Sequence, residues 1–213
     1  MAFTDFSCVY YNEGDNLGKI LAYAALLPYV LILHHASQFY GRRDIHEGVI
    51  VVAFVLNEGI ARGLKHGLRH PRPTATCAKL DLCDSYGMPS SHTQSIAFAF
   101  MLHLLLHLRG WGGKSLGTRL IGACEVVGLG VAALLTASSR VYLGYHSIDQ
   151  VVVGGLLGVA IGAMCFTVLG WRGWDLIPST RFGTFLHLKI CWGASDPLCQ
   201  EAAWYRDLRK KAQ

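Results

Sequence analysis

Three short segments gather the side chains best suited to handle a phosphate: residues 65–73, 89–92 and 139–146. Lys65 and Arg72 stand seven residues apart, about two helical turns, so their long side chains can converge on one anion even where Pro71 and Pro73 interrupt a helix. Taken singly, each residue also has an ordinary use. Lys65 is a basic membrane flank, Arg140 a snorkelling anchor, and Pro89-Ser90-Ser91-His92 a turn and N-cap before an apolar run. His146 is an interfacial imidazole with Asp149 and Gln150 as helical neighbours. Taken together, three cations (Lys65, Arg72, Arg140), two imidazoles (His92, His146) and a hydroxyl (Ser90) make a phosphoryl-transfer set. Cations neutralise the equatorial oxygens, one imidazole attacks in line, and the other protonates the leaving oxygen.

The elements that must position these groups are apolar. Of 213 residues, 52% are hydrophobic and 15% charged, with a mean hydropathy of +0.34; a soluble domain carries roughly 25% charged residues. A hydrocarbon core about 30 Å thick needs about 20 mostly apolar residues per helix. Five segments answer to that length: 20–39, 47–64, 95–108, 120–137 and 150–171. The second carries Asn57, Glu58 and Arg62, and the third is short, with His103 and His107. The expected fold is therefore all-α, a polytopic membrane bundle of about five transmembrane helices, with residues 1–171 forming the membrane domain and 172–213 a cytoplasmic tail. A soluble helical protein is the alternative, but three long apolar runs are hard to bury in so small a domain.

With five spans, the loops holding Arg72 and His146 both follow even-numbered helices and share one face. That side has seven of the 19 Lys and Arg residues and the other side twelve, which by the positive-inside rule places the loops on the exoplasmic or lumenal side. The first eighteen residues lack the basic start of a signal peptide, so internal spans are expected to direct insertion. The formal charge of +5 is scattered, which excludes a nucleic-acid groove. None of the seven cysteines forms a Cys-x-x-Cys pair, and Cys77 and Cys83 are expected to bridge in an oxidising compartment. Lys210-Lys211 near the end resembles a dilysine endoplasmic reticulum retrieval signal, with a basic tail beside anionic lipid as the plainer alternative.

The three segments match, in order and internal spacing, the signature Lys-x6-Arg-Pro, Pro-Ser-x-His, Ser-Arg-x5-His. On these residues the chain resembles the type 2 phosphatidic acid phosphatase superfamily. Leu56-Asn57-Glu58-Gly59, Tyr86-Gly87-Met88-Pro89 and Ser139-Arg140-Val141-Tyr142-Leu143 bring it closer to the dolichyl diphosphatase branch, over roughly residues 56–155. The resemblance implies that His146 is a nucleophile forming a phosphohistidine and His92 the general acid. It makes Lys65, Arg72, Ser90 and Arg140 the phosphate cradle. It implies a polyprenyl diphosphate substrate in the endoplasmic reticulum membrane, cleaved at the lumenal face to the monophosphate and phosphate, in support of protein N-glycosylation; no cofactor is expected, and no metal either, since Lys65, Arg72 and Arg140 place three fixed positive charges where a kinase would use magnesium. Another lipid phosphate substrate of the same superfamily, or a non-enzymatic binder of anionic lipid, are the rivals. The superfamily has an Asp four residues after the nucleophile to orient it; here that position is Gln150, as in the dolichyl branch, with Asp149 one residue earlier. Either can orient His146. Oligomeric state is left open.

Other polar residues have simpler expectations. Glu58 and Arg62 are spaced for an i, i+4 ion pair. Glu125 has no local partner and is expected neutral or bonded to another helix. His66 and His70, like His103 and His107, have the spacing of a metal pair but lack the Glu of His-Glu-x-x-His. Gly154, Gly155, Gly158 and Gly162 suggest a close helix-packing face.

Overall fold

The computed structural model describes residues 11–74, 83–110, 116–190 and 206. All five apolar segments are helical, and among the described residues extended pairing is limited to isolated bridges. The first segment is divided into α1 (Asn16–Ala24) and α2 (Leu27–Arg42), with Pro28 in the first turn of α2, where its missing N–H is no loss. Then come α3 (Ile45–Leu68), α4 (Ser91–Leu108), α5 (Leu116–Tyr142) and α6 (Ile148–Leu169), a 3-10 turn at Arg172–Ser179, and the short α7 (Arg181–Phe185).

Helices α1 and α3 begin before the apolar runs that signal them, because polar caps extend the first turn. Asp15 accepts from the Gly18 N–H at 2.8 Å to start α1, and Asp44 from the His46 N–H at 3.0 Å to start α3. Arg69, in the left-handed region at φ 49°, ends α3 with its N–H on the Lys65 carbonyl. Three spans are long and apolar enough to cross a membrane by length and composition: Asn16–Arg42, Leu116–Tyr142 and Ile148–Leu169. Of the two more polar helices, α4 is largely enclosed, while α3 buries one face, with Ile50, Phe54, Asn57 and Ala61, and exposes the other. Their polar side chains pair with each other: Asn57 Nδ2 donates to Ser95 Oγ, and Gln94 Nε2 to the Asn57 carbonyl and Oδ1, all at 2.9 Å.

The core lies between α3, α4 and α6, where Ile50 and Phe54 meet Phe98 and Leu102, and these meet Ile161 and Cys165. Phe54 and Phe98 stack edge to face at 4.7 Å. Helix α4 packs most extensively on α6. A Cβ on Gly154, Gly158 or Gly162 would run into the main-chain carbonyls of Ser90, Gln94 and Phe98, whereas one on Gly155 would meet the Thr93 methyl at 3.8 Å. The expected glycine face is thus a backbone-to-backbone contact, with Gly155 at its margin.

Alternation of the helices brings the C-terminal ends of α3 and α5 and the N-terminal ends of α4 and α6 together at one end of the bundle. At the other end, residues 172–190 fold back onto the α2–α3 corner. The Lys189 N–H donates to the Arg43 carbonyl at 2.8 Å, the Ile45 N–H to the Lys189 carbonyl at 3.0 Å, and Leu188 is buried. Residue 77 of the expected Cys77–Cys83 bridge lies outside the described residues, as do Lys210 and Lys211.

Candidate active site

Every segment expected to handle phosphate reaches the same end of the bundle. Lys65, in the last turn of α3, extends its Nζ to 3.5 Å from Ser91 Oγ at the start of α4. The chain then crosses toward α6, where Arg72 is held on three sides. Its Nε donates to Ser85 Oγ at 2.7 Å, and its Nη1 donates to the Tyr145 carbonyl at 2.8 Å and lies 3.4 Å from His146 Nε2. Ser90, fully buried, caps α4; its N–H donates to the Gln150 carbonyl at 3.0 Å, and its Oγ lies 3.1 Å from Thr93 Oγ1. His92 sets its ring edge to face with Tyr29 of α2 at 5.4 Å. Arg140, buried in the last turn of α5, stacks over the Tyr145 ring at 4.0 Å. Among the described residues its Nε, like Ser139 Oγ, is buried with no hydrogen-bond partner. A buried guanidinium N–H without an acceptor is a donor open to an anion.

Gly144, at φ 74°, turns the chain after α5 and returns the His146 N–H to the Arg140 carbonyl at 3.0 Å. His146 is buried, with Nδ1 3.0 Å from Gln150 Oε1. The surroundings of Gln150 fix the proton on that imidazole. Gln150 Oε1 accepts from the Ser147 N–H at 3.3 Å, and its Nε2 donates to the Pro71 carbonyl at 2.7 Å. A backbone N–H can only donate and a carbonyl can only accept, so the amide orientation follows, and Nδ1 of His146 must carry the proton. Its Nε2 keeps a lone pair, facing Arg72. Burial, and then the charges of Arg72 and Arg140, hold His146 well below the usual imidazole range; the bond to Gln150 acts the other way. Arg140, Lys65 and Arg72 are also the charged neighbours of His92.

Of the two residues able to orient His146, Gln150 is the one in contact. Asp149 points away and faces His70 Nε2 at 3.8 Å. Ser85, Tyr145, Tyr29 and His70 are the parts of this site that the signature does not name.

The other expectations resolve outside it. Glu58 and Arg62 pair at 3.0 Å on an exposed face. Glu125 is bonded to another helix, at 2.7 Å from His103 Nδ1; His103 Nε2 lies 3.3 Å from His35 Nε2, and His35 Nδ1 lies 2.8 Å from Glu47. His66 packs on Tyr86 while His70 turns to Gln150, so that spaced pair diverges. Among the described residues no group of three or more His, Cys, Asp or Glu side chains could hold a metal ion.

The PAP2 superfamily profile, that of the type 2 phosphatidic acid phosphatases, matches residues 46–174. The chain is 33% identical to lipid phosphate phosphatase gamma of Arabidopsis thaliana, over 85% of this chain and 80% of that one. It is 36% identical to dolichyldiphosphatase 1 of Rhinolophus ferrumequinum, over 75% and 68%. In fold it is similar to a transmembrane PAP2-type phosphatidylglycerolphosphate phosphatase from Bacillus subtilis, with a TM-score of 0.55, 22% identity, and 80% of this chain and 81% of that one covered.

Proposed function

The chain belongs to the PAP2 superfamily, and within that family of membrane lipid phosphatases we propose that it hydrolyses dolichyl (polyprenyl) diphosphate to dolichyl phosphate and inorganic phosphate. The observation that carries the reading is the state of His146: its proton is held on Nδ1 by Gln150, and its unprotonated Nε2 accepts only a long bond, at 3.4 Å, from Arg72 Nη1, a donor that a bound phosphate would draw away. Such an imidazole is a nucleophile for phosphorus. Lys65, Arg72, Arg140 and Ser90 neutralise and orient the terminal phosphate. The Nε2 lone pair forms the P–N bond as the bridging P–O bond breaks, and the lipid monophosphate leaves with the electron pair, assisted by His92 as acid. Water then attacks the phosphohistidine, His92 takes its proton, and the P–N electrons return to His146.

Three fixed cations stand where other phosphoryl-transfer enzymes use magnesium, so the reaction is proposed to be metal-independent. The similarity to dolichyldiphosphatase 1 supports the substrate, an endoplasmic reticulum location, and a role in recycling the lipid carrier of N-glycosylation. The charge bias of the loops supports a lumenal site. The similarity to lipid phosphate phosphatase gamma favours, as the second reading, a lipid monophosphate substrate. Phosphate release from dolichyl diphosphate and from phosphatidate, in one detergent and with and without chelator, separates these. The diphosphate is expected to be preferred and the chelator to be without effect. Preference for phosphatidate selects the second reading, and activity lost to chelator and restored by a divalent ion overturns metal independence.

A further inference from the structure

We propose that His70 is a positioning residue for the nucleophile, passing the influence of the Asp149 carboxylate to His146 through the side-chain amide of Gln150. This rests on the reading of His146 as nucleophile but not on the identity of the lipid.

Gln150 is fully buried, and its Nε2 has two hydrogens and two close neighbours: the Pro71 carbonyl at 2.7 Å and His70 Nδ1 at 2.9 Å. An amide nitrogen only donates, so His70 Nδ1 holds a lone pair and its proton sits on Nε2. That Nε2–H faces Asp149 Oδ2 at 3.8 Å. His70 Nδ1 also lies 3.2 Å from the carbonyl of Pro71, the next residue in the chain. Protonating Nδ1 to satisfy that longer contact would set an N–H against the Gln150 amide hydrogens. The consistent arrangement is two hydrogen bonds in series, His70 with Gln150 and Gln150 with His146, each with a donor facing an acceptor, and the Asp149 carboxylate, at 3.8 Å beyond hydrogen-bond distance, acts on His70 through its charge alone.

The main chain holds His70 in place for this. Pro71 bridges to Tyr86, the Gly87 N–H donates to the His70 carbonyl at 2.8 Å, and a Cβ on Gly87 would collide with the Gln150 amide. Hydrogen bonds in series polarise one another. Here the polarisation increases the negative charge on Gln150 Oε1, which faces the ring that becomes positive. When Nε2 attacks phosphorus, His146 becomes an N-phosphoryl imidazolium and keeps its Nδ1 proton, because an amide cannot accept it. The relay therefore moves no proton. It holds the tautomer and stabilises charge, supplying through one imidazole and one amide what a carboxylate at position 150 would supply directly. His70 and Asp149 are 44% and 55% exposed, so the outermost link is screened and contributes least.

The test compares full-length wild type with His70→Ala, His70→Asn and Asp149→Asn in detergent, by steady-state kinetics and by single-turnover formation of the phosphoenzyme. The substrate is whichever member of a panel of dolichyl diphosphate, phosphatidate and sphingoid base phosphate the wild type hydrolyses best. His70→Ala is expected to slow phosphoenzyme formation about three- to tenfold, the worth of one hydrogen bond between neutral groups, with KM within about twofold. Asn returns an acceptor near Gln150, so His70→Asn should recover most of the rate, and Asp149→Asn should cost about twofold. A wild-type rate in His70→Ala, a loss confined to KM, or a loss that Asn does not recover overturns the proposal. If His70→Ala does not fold, the Asn variant decides: a rate near wild type is expected, and a large loss overturns the relay. A wild type inactive on the whole panel overturns the phosphatase reading and the relay with it, whereas preference for phosphatidate removes only the dolichyl assignment.

Discussion

The main-chain carbonyl of Gln94 occupies the space that a side chain on Gly158 would need. At this point α4 and α6 touch backbone to backbone, and the contact sets the relative height of their N-terminal ends, where Ser90 and Gln150 are joined by a hydrogen bond. Gly158→Ala forces the helices apart and is expected to destabilise the protein by about 1–3 kcal/mol. Gly155→Ala, with room for its methyl, is expected to melt like wild type. Thermal unfolding in detergent checks both; equal melting of the two variants would remove the packing role.

Much of this site was legible because its three motifs translate directly into helix ends. Lys65, Ser90 and Arg140 sit where an apolar run begins or stops, and the fixed spacing from Arg140 to His146 is the length of one turn closed by Gly144. The choice between Asp149 and Gln150 was not legible, since residues three and four positions on from His146 lie on the same side of a helix. What decides it is the chain at His70 and Pro71, brought from a distant part of the sequence by pairing with Tyr86 and Gly87. Glu125 likewise finds His103 on another helix, with no local sign in the sequence. The contact of residues 172–190 with the α2–α3 corner was not legible either, because it runs through main-chain groups, which composition does not reveal.

His146→Ala is expected to abolish turnover, since among the described residues it is His146 whose Nε2 meets Arg72. If His146 is the nucleophile it must be neutral, so the rate is expected to fall as pH drops through its pKa. Burial and the two arginines lower that pKa, which places the acid limb of kcat/KM below the usual value of about 6.5. Arg72→Gln removes the charge that acts more strongly on His146. Its acid limb should therefore move to higher pH, on top of a lower plateau. Comparing both proteins on one substrate cancels the ionisation of the phosphate, and an unmoved limb would argue against His146 as the titrating group.

The chain from Glu47 through His35 and His103 to Glu125 ties four helices together. His103 stands eleven residues beyond His92 on α4, about 16 Å along the helix, too far to touch the phosphate. His103→Ala takes the partner from Glu125 and from His35 Nε2, and is expected to cost about 1–3 kcal/mol in stability. Phosphate release per folded molecule should be unchanged. A melting temperature like that of wild type with reduced kcat would contradict this division between stability and chemistry.

The contribution of His92 depends on how basic the leaving oxygen is. When a diphosphate is cleaved, the departing group is a phosphate monoester whose second pKa is about 6, whereas a lipid monophosphate must expel an alkoxide, closer to the 15.7 of water. General acid catalysis contributes about 10²- to 10⁴-fold, and most of that is needed only when the leaving oxygen is basic. The ring of His92 rests against Tyr29 and shares the neighbourhood of Lys65, Arg72 and Arg140, which stabilise a departing anion whether or not it is protonated. His92→Ala is therefore expected to slow cleavage of a polyprenyl diphosphate markedly less than cleavage of a lipid monophosphate by the same enzyme. Single-turnover formation of the phosphoenzyme on both substrates isolates this step from the proposed hydrolysis that follows, in which His92 would act on water and the leaving group is the same for both. Equal losses on the two substrates would make His92 a residue that positions the phosphate, leaving the departing oxygen to the cations alone.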